Sequence, residues 1–182
     1  MKKNIIFSLL SIAALAMVTI TFTACGGDDN DDITGGDTSV GVHRVDIQFS
    51  SSAVHSSVGT YIYGMKTGSS MSNIITSNLY ENGQQLPLDA TTHLWECNAI
   101  RDISVKTESG CVGIMASVIL MAKWGVSATP EDITITCVGY VNDKRMYTKV
   151  YTLPAGKKTI SISFSTSEGG TSGYVIDNEI ME

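Results

Sequence analysis

Of the residues able to carry chemistry, the cysteines have the most telling surroundings. Cys25 directly follows Phe22, Thr23 and Ala24, at the end of an apolar run. Cys97, Cys111 and Cys137 lie in the body of the chain. In an oxidising compartment their parity favours one disulfide with one thiol left over. It would close a loop of 14 to 40 residues and stabilise by about 3–4 kcal/mol. The same three residues serve equally well as small buried apolar side chains. No CxxC and no Cys/His ligand spacing is present, so neither a metal nor a cofactor is expected.

Other catalytic patterns are missing. His43, His55 and His93 stand apart, without HExxH, and there is no GxSxG among the many serines. Glu81, Asp89, Glu96, Asp102 and Glu108 are scattered acids with no paired spacing. The loop Gly169 to Gly173 lacks the lysine and helix of a phosphate cradle. The expectation is a protein that is not an enzyme. Aromatic residues leave room for binding, because a flat ring packs well on the apolar side of a sugar. Trp124, between Lys123 and Gly125, and Trp95 are the candidate ligand contacts; Trp95 serves as well for a core tryptophan.

Lys2 and Lys3 form a positive start, and Ile5 to Phe22 follows with fourteen apolar and four hydroxyl residues and no charge. Together with Phe22-Thr23-Ala24-Cys25 this resembles the lipobox leader of bacterial lipoproteins, with Phe22 where the family prefers leucine. The resemblance implies removal of Met1 to Ala24 and a thioether-linked diacylglycerol on Cys25. A further acyl chain such as palmitate is then expected on the new amino terminus. Several chains at about 0.8 kcal/mol per buried CH₂ make such an anchor permanent. A plain secretory signal fits less well, since Thr21-Phe22-Thr23 is a poor cleavage site, and an uncleaved anchor needs about 20 apolar residues.

Gly26-Gly27 then leads into Asp28, Asp29, Asn30, Asp31 and Asp32. A cysteine followed by an acidic run looks like the export signal of Bacteroidota surface lipoproteins. The resemblance implies an outer-membrane protein facing the cell exterior; the alternative is a periplasmic orientation. The same residues also make a solvated, self-repelling tether. Residues 25–41 contain only Ile33 and Val40 as apolar members, and read as a linker averaging roughly 20–25 Å and reaching about 60 Å.

Residues 42–182 are long enough for one domain with a substantial core. The mature chain holds ten basic against eighteen acidic residues, five of the acids in the tether, so the domain is near −3. Without a basic stretch, nucleic acid is not an expected partner; the membrane, through the lipid, is.

Period-two alternation dominates the domain. It places Val45, Ile47 and Phe49 on one strand face, and Tyr61 to Met65 on a second strand before a Ser/Thr/Asn-rich interruption, Thr67 to Asn78. Asn82-Gly83 predicts a type I′ hairpin, and Glu108-Ser109-Gly110 a turn. Cys111 to Trp124 suits a helix or a strand buried on both faces, and its neighbours favour the strand. Ile133, Ile135 and Cys137 alternate up to Asn142-Asp143. Lys144 to Leu153 returns with Met146 and Val150 on one side. Ile160, Ile162 and Phe164 alternate with serines, and Tyr174 to Ile180 offers a last strand. About nine strands with short turns predict an all-β fold, a single antiparallel β-sandwich. Asp132 to Ser165 looks like the closing strands of the small immunoglobulin-like sandwiches on many Bacteroidota lipoproteins. The expected role is a non-catalytic extracellular binding or adhesion domain for a glycan or protein; the alternative is a structural or assembly subunit of a surface complex.

Overall fold

The computed structural model describes residues 40–67, 74–122, 129, 131–167 and 171–176. In chain order the strands are β1 (His43–Phe49), β2 (Ser56–Thr67), β3 (Ile74–Ser77), β4 (Leu79–Glu81), β5 (Gln84–Gln85) and β6 (Trp95–Cys97), then β7 (Ile103–Thr107), β8 (Cys111–Ala122), β9 (Ile133–Val141), β10 (Lys144–Leu153), β11 (Thr159–Ser165) and β12 (Thr171–Ile176). One sheet has the order β10-β9-β1-β7-β4-β5. The other runs β12-β11-β8-β2-β3, with β6 also on β2. Every pairing is antiparallel. The fold is an all-β sandwich, with broader sheets than the seven-strand, four-plus-three immunoglobulin plan.

Alternation in the sequence becomes alternation of burial. Val45, Ile47, Val105, Ile135 and Cys137 of the first sheet are fully buried. They meet Ile62, Ile114, Ala116, Val118, Leu120, Ile162 and Phe164 of the second. Each large side chain removed from water contributes about 1.5–3 kcal/mol. In β8 the buried set Ile114, Ala116, Val118 and Leu120 recurs every second residue, which decides for strand over helix, and β2 and β11 flank it on both sides. Residues between them, such as Met115 and Ile119, stay half-buried on the outer face.

Asn82 and Gly83 both take positive φ, 51° and 79°, closing the β4–β5 hairpin, and Asn142 and Asp143, at 50° and 62°, close β9–β10. These types tolerate the conformation that a two-residue I′ turn demands. Gly139 allows a close approach in the core: a Cβ there would stand 2.9 Å from Thr166 Cγ2 and 3.1 Å from Phe164 Cζ.

Five details differ from the sequence expectation. β2 begins at Ser56, after a 3₁₀ turn at Ser51–His55, and β3 forms inside the stretch expected to interrupt the strands. β10 carries a bulge between Arg145 and Tyr147. That extra residue shifts the strand's parity, so Tyr147, Tyr151 and Leu153 turn toward the core while Val150 is 60% exposed. β12 starts at Thr171, within the expected loop, because Thr171, Ser172 and Gly173 pair with Phe164, Ser163 and Ile162. Gly41, expected to end the linker, already exchanges two backbone hydrogen bonds with Cys111, at 2.8 and 2.9 Å.

Candidate functional site

Two places gather polar side chains. The first is buried at one end of the sandwich. His43 opens β1 and is 1% exposed. Its Nε2 lies 3.1 Å from the Cys111 carbonyl and its Nδ1 2.7 Å from Thr166 Oγ1. A carbonyl can only accept, so Nε2 carries the proton. Thr166 Oγ1 in turn accepts from the Ile114 amide at 3.0 Å, and the His43 amide donates to Thr107 Oγ1 at 3.0 Å. The Cys111 thiol, fully buried, meets Ser77 Oγ at 3.0 Å. Histidine, thiol and hydroxyls thus stand together where no substrate reaches them, and their bonds tie β1 and β7 of one sheet to β8 and the chain after β11. This cluster is a structural joint; a missing joint would leave buried polar groups unsatisfied.

The second place is the outer face of the sheet β10-β9-β1-β7-β4-β5, and the strand register builds it. Arg145 pairs with Tyr140, Tyr140 with Arg44, Arg44 with Lys106, Lys106 with Tyr80, and Tyr80 with Gln85. Paired residues share a face, so the six form one row across the whole sheet, about 24 Å at the usual strand spacing. The Arg44 guanidinium stacks on Tyr140, 3.8 Å from the ring centre. It also contacts Asp46 at 3.3 Å and Asp143 at 3.2 Å. Lys106 and Arg145 are exposed and have no ion pair among the described residues.

One step along β1 from this row, the face dips into a shallow concavity of about 320 Å³, lined among others by Asp46, Gln48, Glu81, Asn82, Asp102 and Ser104. Arg101 grips Glu81 with both ends of its fork, at 2.6 and 2.7 Å, and donates to the Asp102 carbonyl at 2.9 Å. The Glu81 hydrogen bond keeps the Arg101 guanidinium more firmly protonated than usual. Ser104 Oγ donates to Asp46 at 2.6 Å. The concavity therefore offers carboxylates, amides and a hydroxyl, with Asp46, Glu81 and Ser104 held in place by these bonds; such groups exchange hydrogen bonds with ligand hydroxyls.

Trp95 is not an open ligand contact: it is 7% exposed, packed in the core, with Arg101 above its ring at 5.7 Å. Its place on β6, facing the opposite sheet, takes the ring away from solvent. Trp124 lies outside the described residues, as do Cys25, Asp28, Asp29, Asp31 and Asp32. Cys97, Cys111 and Cys137 are three free buried thiols, so the disulfide expected among them is not formed. Each occupies an inward position on a different strand, and burial pushes the Cys137 thiol up to about 12. Of the scattered acids, Glu81 and Asp102 meet at the concavity. Glu108 instead pairs with Lys66 at 2.6 Å, and Asp89 caps its own turn through the Thr91 and Thr92 amides at 2.9 and 2.7 Å. Both carboxyls are held below the usual range, Glu108 first by the Lys66 hydrogen bond and Asp89 first by the Thr92 amide. Among the described residues no group of His, Cys, Asp or Glu is arranged to hold a metal ion. The sequence reading missed Arg44, Lys106, Tyr80 and Arg145, whose only local signal is that they occupy outward positions of alternating strands.

No protein-family description and no curated protein matches the chain. Three solved structures are similar. One is a domain of unknown function, DUF4425, from Bacteroides vulgatus, at 20% identity and TM-score 0.59, spanning 72% of this chain and 99% of that one. Another is a DUF4425 family protein from Bacteroides ovatus, at 17% identity and TM-score 0.52, spanning 70% and 94%. A third, the calcium-bound form of a protein from Parabacteroides distasonis, stands at 17% and 0.47, spanning 80% and 99%. The first two likenesses establish that this two-sheet sandwich is the fold of solved Bacteroides domains.

Proposed function

We propose that the chain is a Bacteroidota-type surface lipoprotein, anchored by lipid on Cys25, whose sandwich is a non-catalytic glycan-binding domain acting through the outer face of the sheet that contains β1. The observation that carries the binding role is the concavity on that face. Gln48, Asn82 and Ser104 stand beside Asp46 and Asp102, and the Arg101–Glu81 fork holds its wall. Polar groups already held by neighbours, as Asp46, Glu81 and Ser104 are, lose little freedom on binding, which favours a hydroxyl-rich ligand. The leader and acidic tether support the anchor and its outward direction, and similar folds in two Bacteroides proteins support the phylum. The two-sheet antiparallel build supports immunoglobulin-like kinship. A glycan array probed with the mature chain is expected to give hits that Gln48→Ala and Asp102→Ala reduce. Silence across the array, or hits unaffected by both changes, would overturn this reading.

The second reading, an assembly subunit, draws on β12, which ends its sheet in the order of described strands and so offers a place for strand addition. It predicts concentration-dependent oligomers that deletion of the chain after Gly173 abolishes. Light scattering showing a monomer at every concentration would count against it.

A further inference from the structure

The cationic row breaks a rule that the rest of the sheet obeys. Like charges directly opposite in an antiparallel pair repel, yet Arg44 faces Lys106 across the central β1–β7 pair. Arg145 completes the set on the far side of Tyr140. The whole domain is net acidic, near −3, so the three cations are a local concentration of positive charge against the trend. Two carboxylates, Asp46 and Asp143, answer Arg44 alone, and among the described residues Lys106 and Arg145 have no ion pair. Local rules broken at some cost in stability mark functional positions.

We propose that the row Arg145–Tyr140–Arg44–Lys106–Tyr80 is the track for an acidic polysaccharide, one whose sugars carry carboxylate or sulfate groups. The inference rests on the reading of this face as glycan-binding and adds the ligand's charge. Cations on alternate strands lie about 10 Å apart, and on adjacent strands about 5 Å, spacings suited to anionic groups repeated along a sugar chain. Arg44 is held in plane by Tyr140, and Arg145 and Lys106 flank it from either side. The neighbouring concavity takes the hydroxyls while the row takes the acids, so a neutral chain meets half of the site.

Affinity electrophoresis of the mature chain tests this, with polygalacturonate and chondroitin sulfate in separate gels and neutral dextran as the third. Retardation is expected in at least one acidic gel and not in dextran, and it should fall as salt rises. Lys106→Glu combined with Arg145→Glu should weaken it by about tenfold or more. Lys149→Glu, the same charge change at a β10 position outside the row, should leave it nearly unchanged. Both row residues are exposed, and circular dichroism checks that the double variant stays folded. Equal retardation of the double variant and the parent would overturn the track. So would binding to phosphatidylglycerol vesicles without retardation in either acidic gel. Array hits confined to neutral glycans would overturn the track and leave the glycan-binding reading standing; no glycan binding at all would overturn both.

Discussion

Replacing Lys106 with glutamate should raise the stability of the domain while weakening binding of an acidic chain. Lys106 stands directly across from Arg44 and, among the described residues, has no ion pair of its own. Opposed charges on an antiparallel pair contribute about 0.2–1 kcal/mol, and like charges cost a similar amount. Reversal replaces one with the other and so adds the two effects. Lys106 is exposed, so screening and side-chain entropy reduce the sum. Asp46, one row along, takes back a further part. A net gain of about 0.5–1 kcal/mol remains, equivalent to a Tm rise of about 2–3 °C for a domain of this size. Lys106→Gln, which removes repulsion without adding attraction, should show about half of it. Thermal unfolding by circular dichroism at about 0.01 M and about 1 M salt separates charge from packing, because the screening length shrinks from about 30 Å to about 3 Å. The gain should be present in the first and vanish in the second. A midpoint that falls, or a rise of equal size at both salts, would refute the cross-strand account.

The remaining expectations concern the buried joint, the core and the leader. His43→Ala deletes the imidazole bonds to Cys111 and Thr166 and leaves a cavity, so denaturant unfolding should show a loss of about 2–4 kcal/mol. Gly139→Ala places a methyl 2.9 Å from Thr166 Cγ2 and should cost about 1–3 kcal/mol by overpacking. Cys137 titrates at about 12 in the folded chain against 9.0 ordinarily. Its contribution is complete below 9.0 and is lost as pH rises through about 12, because the unfolded chain releases the proton first. Unfolding followed across that window should therefore show a falling stability that Cys137→Ala makes less steep, with the raised Tyr61 and Tyr63 hydroxyls keeping part of the slope. Cys25→Ser should leave an unprocessed precursor that takes up no labelled palmitate; normal maturation of that variant would remove the lipoprotein reading.

What the amino-acid order determined by itself was local. Alternation marked β1, β9 and β11 with their inward residues, because side chains in a strand point to opposite faces whatever the partner. Asn82-Gly83 and Asn142-Asp143 announced their turns because few residue types accept positive φ in succession. β8 was legible as a strand mainly from its neighbours, and the structure supplied the reason, a partner on each side. The leader and acidic tether are expectations that rest on the resemblance of residues 1–32 to bacterial lipoproteins.

Other features depended on which strand lies beside which, and no local pattern carries that. Met146 and Val150 shared a face in the sequence, but a one-residue bulge turned Tyr147, Tyr151 and Leu153 inward in their place. His43 looked like an isolated histidine at the start of a strand; it became a buried joint through Cys111 and Thr166, 68 and 123 residues away. The three thiols could have paired by parity, yet separate strands hold them apart as core side chains. The candidate site is the fullest case. Arg44, Tyr80, Lys106, Tyr140 and Arg145 come from five strands, and each alone is an ordinary outward residue. Only antiparallel register, a property of the folded sheet, brings them into one row.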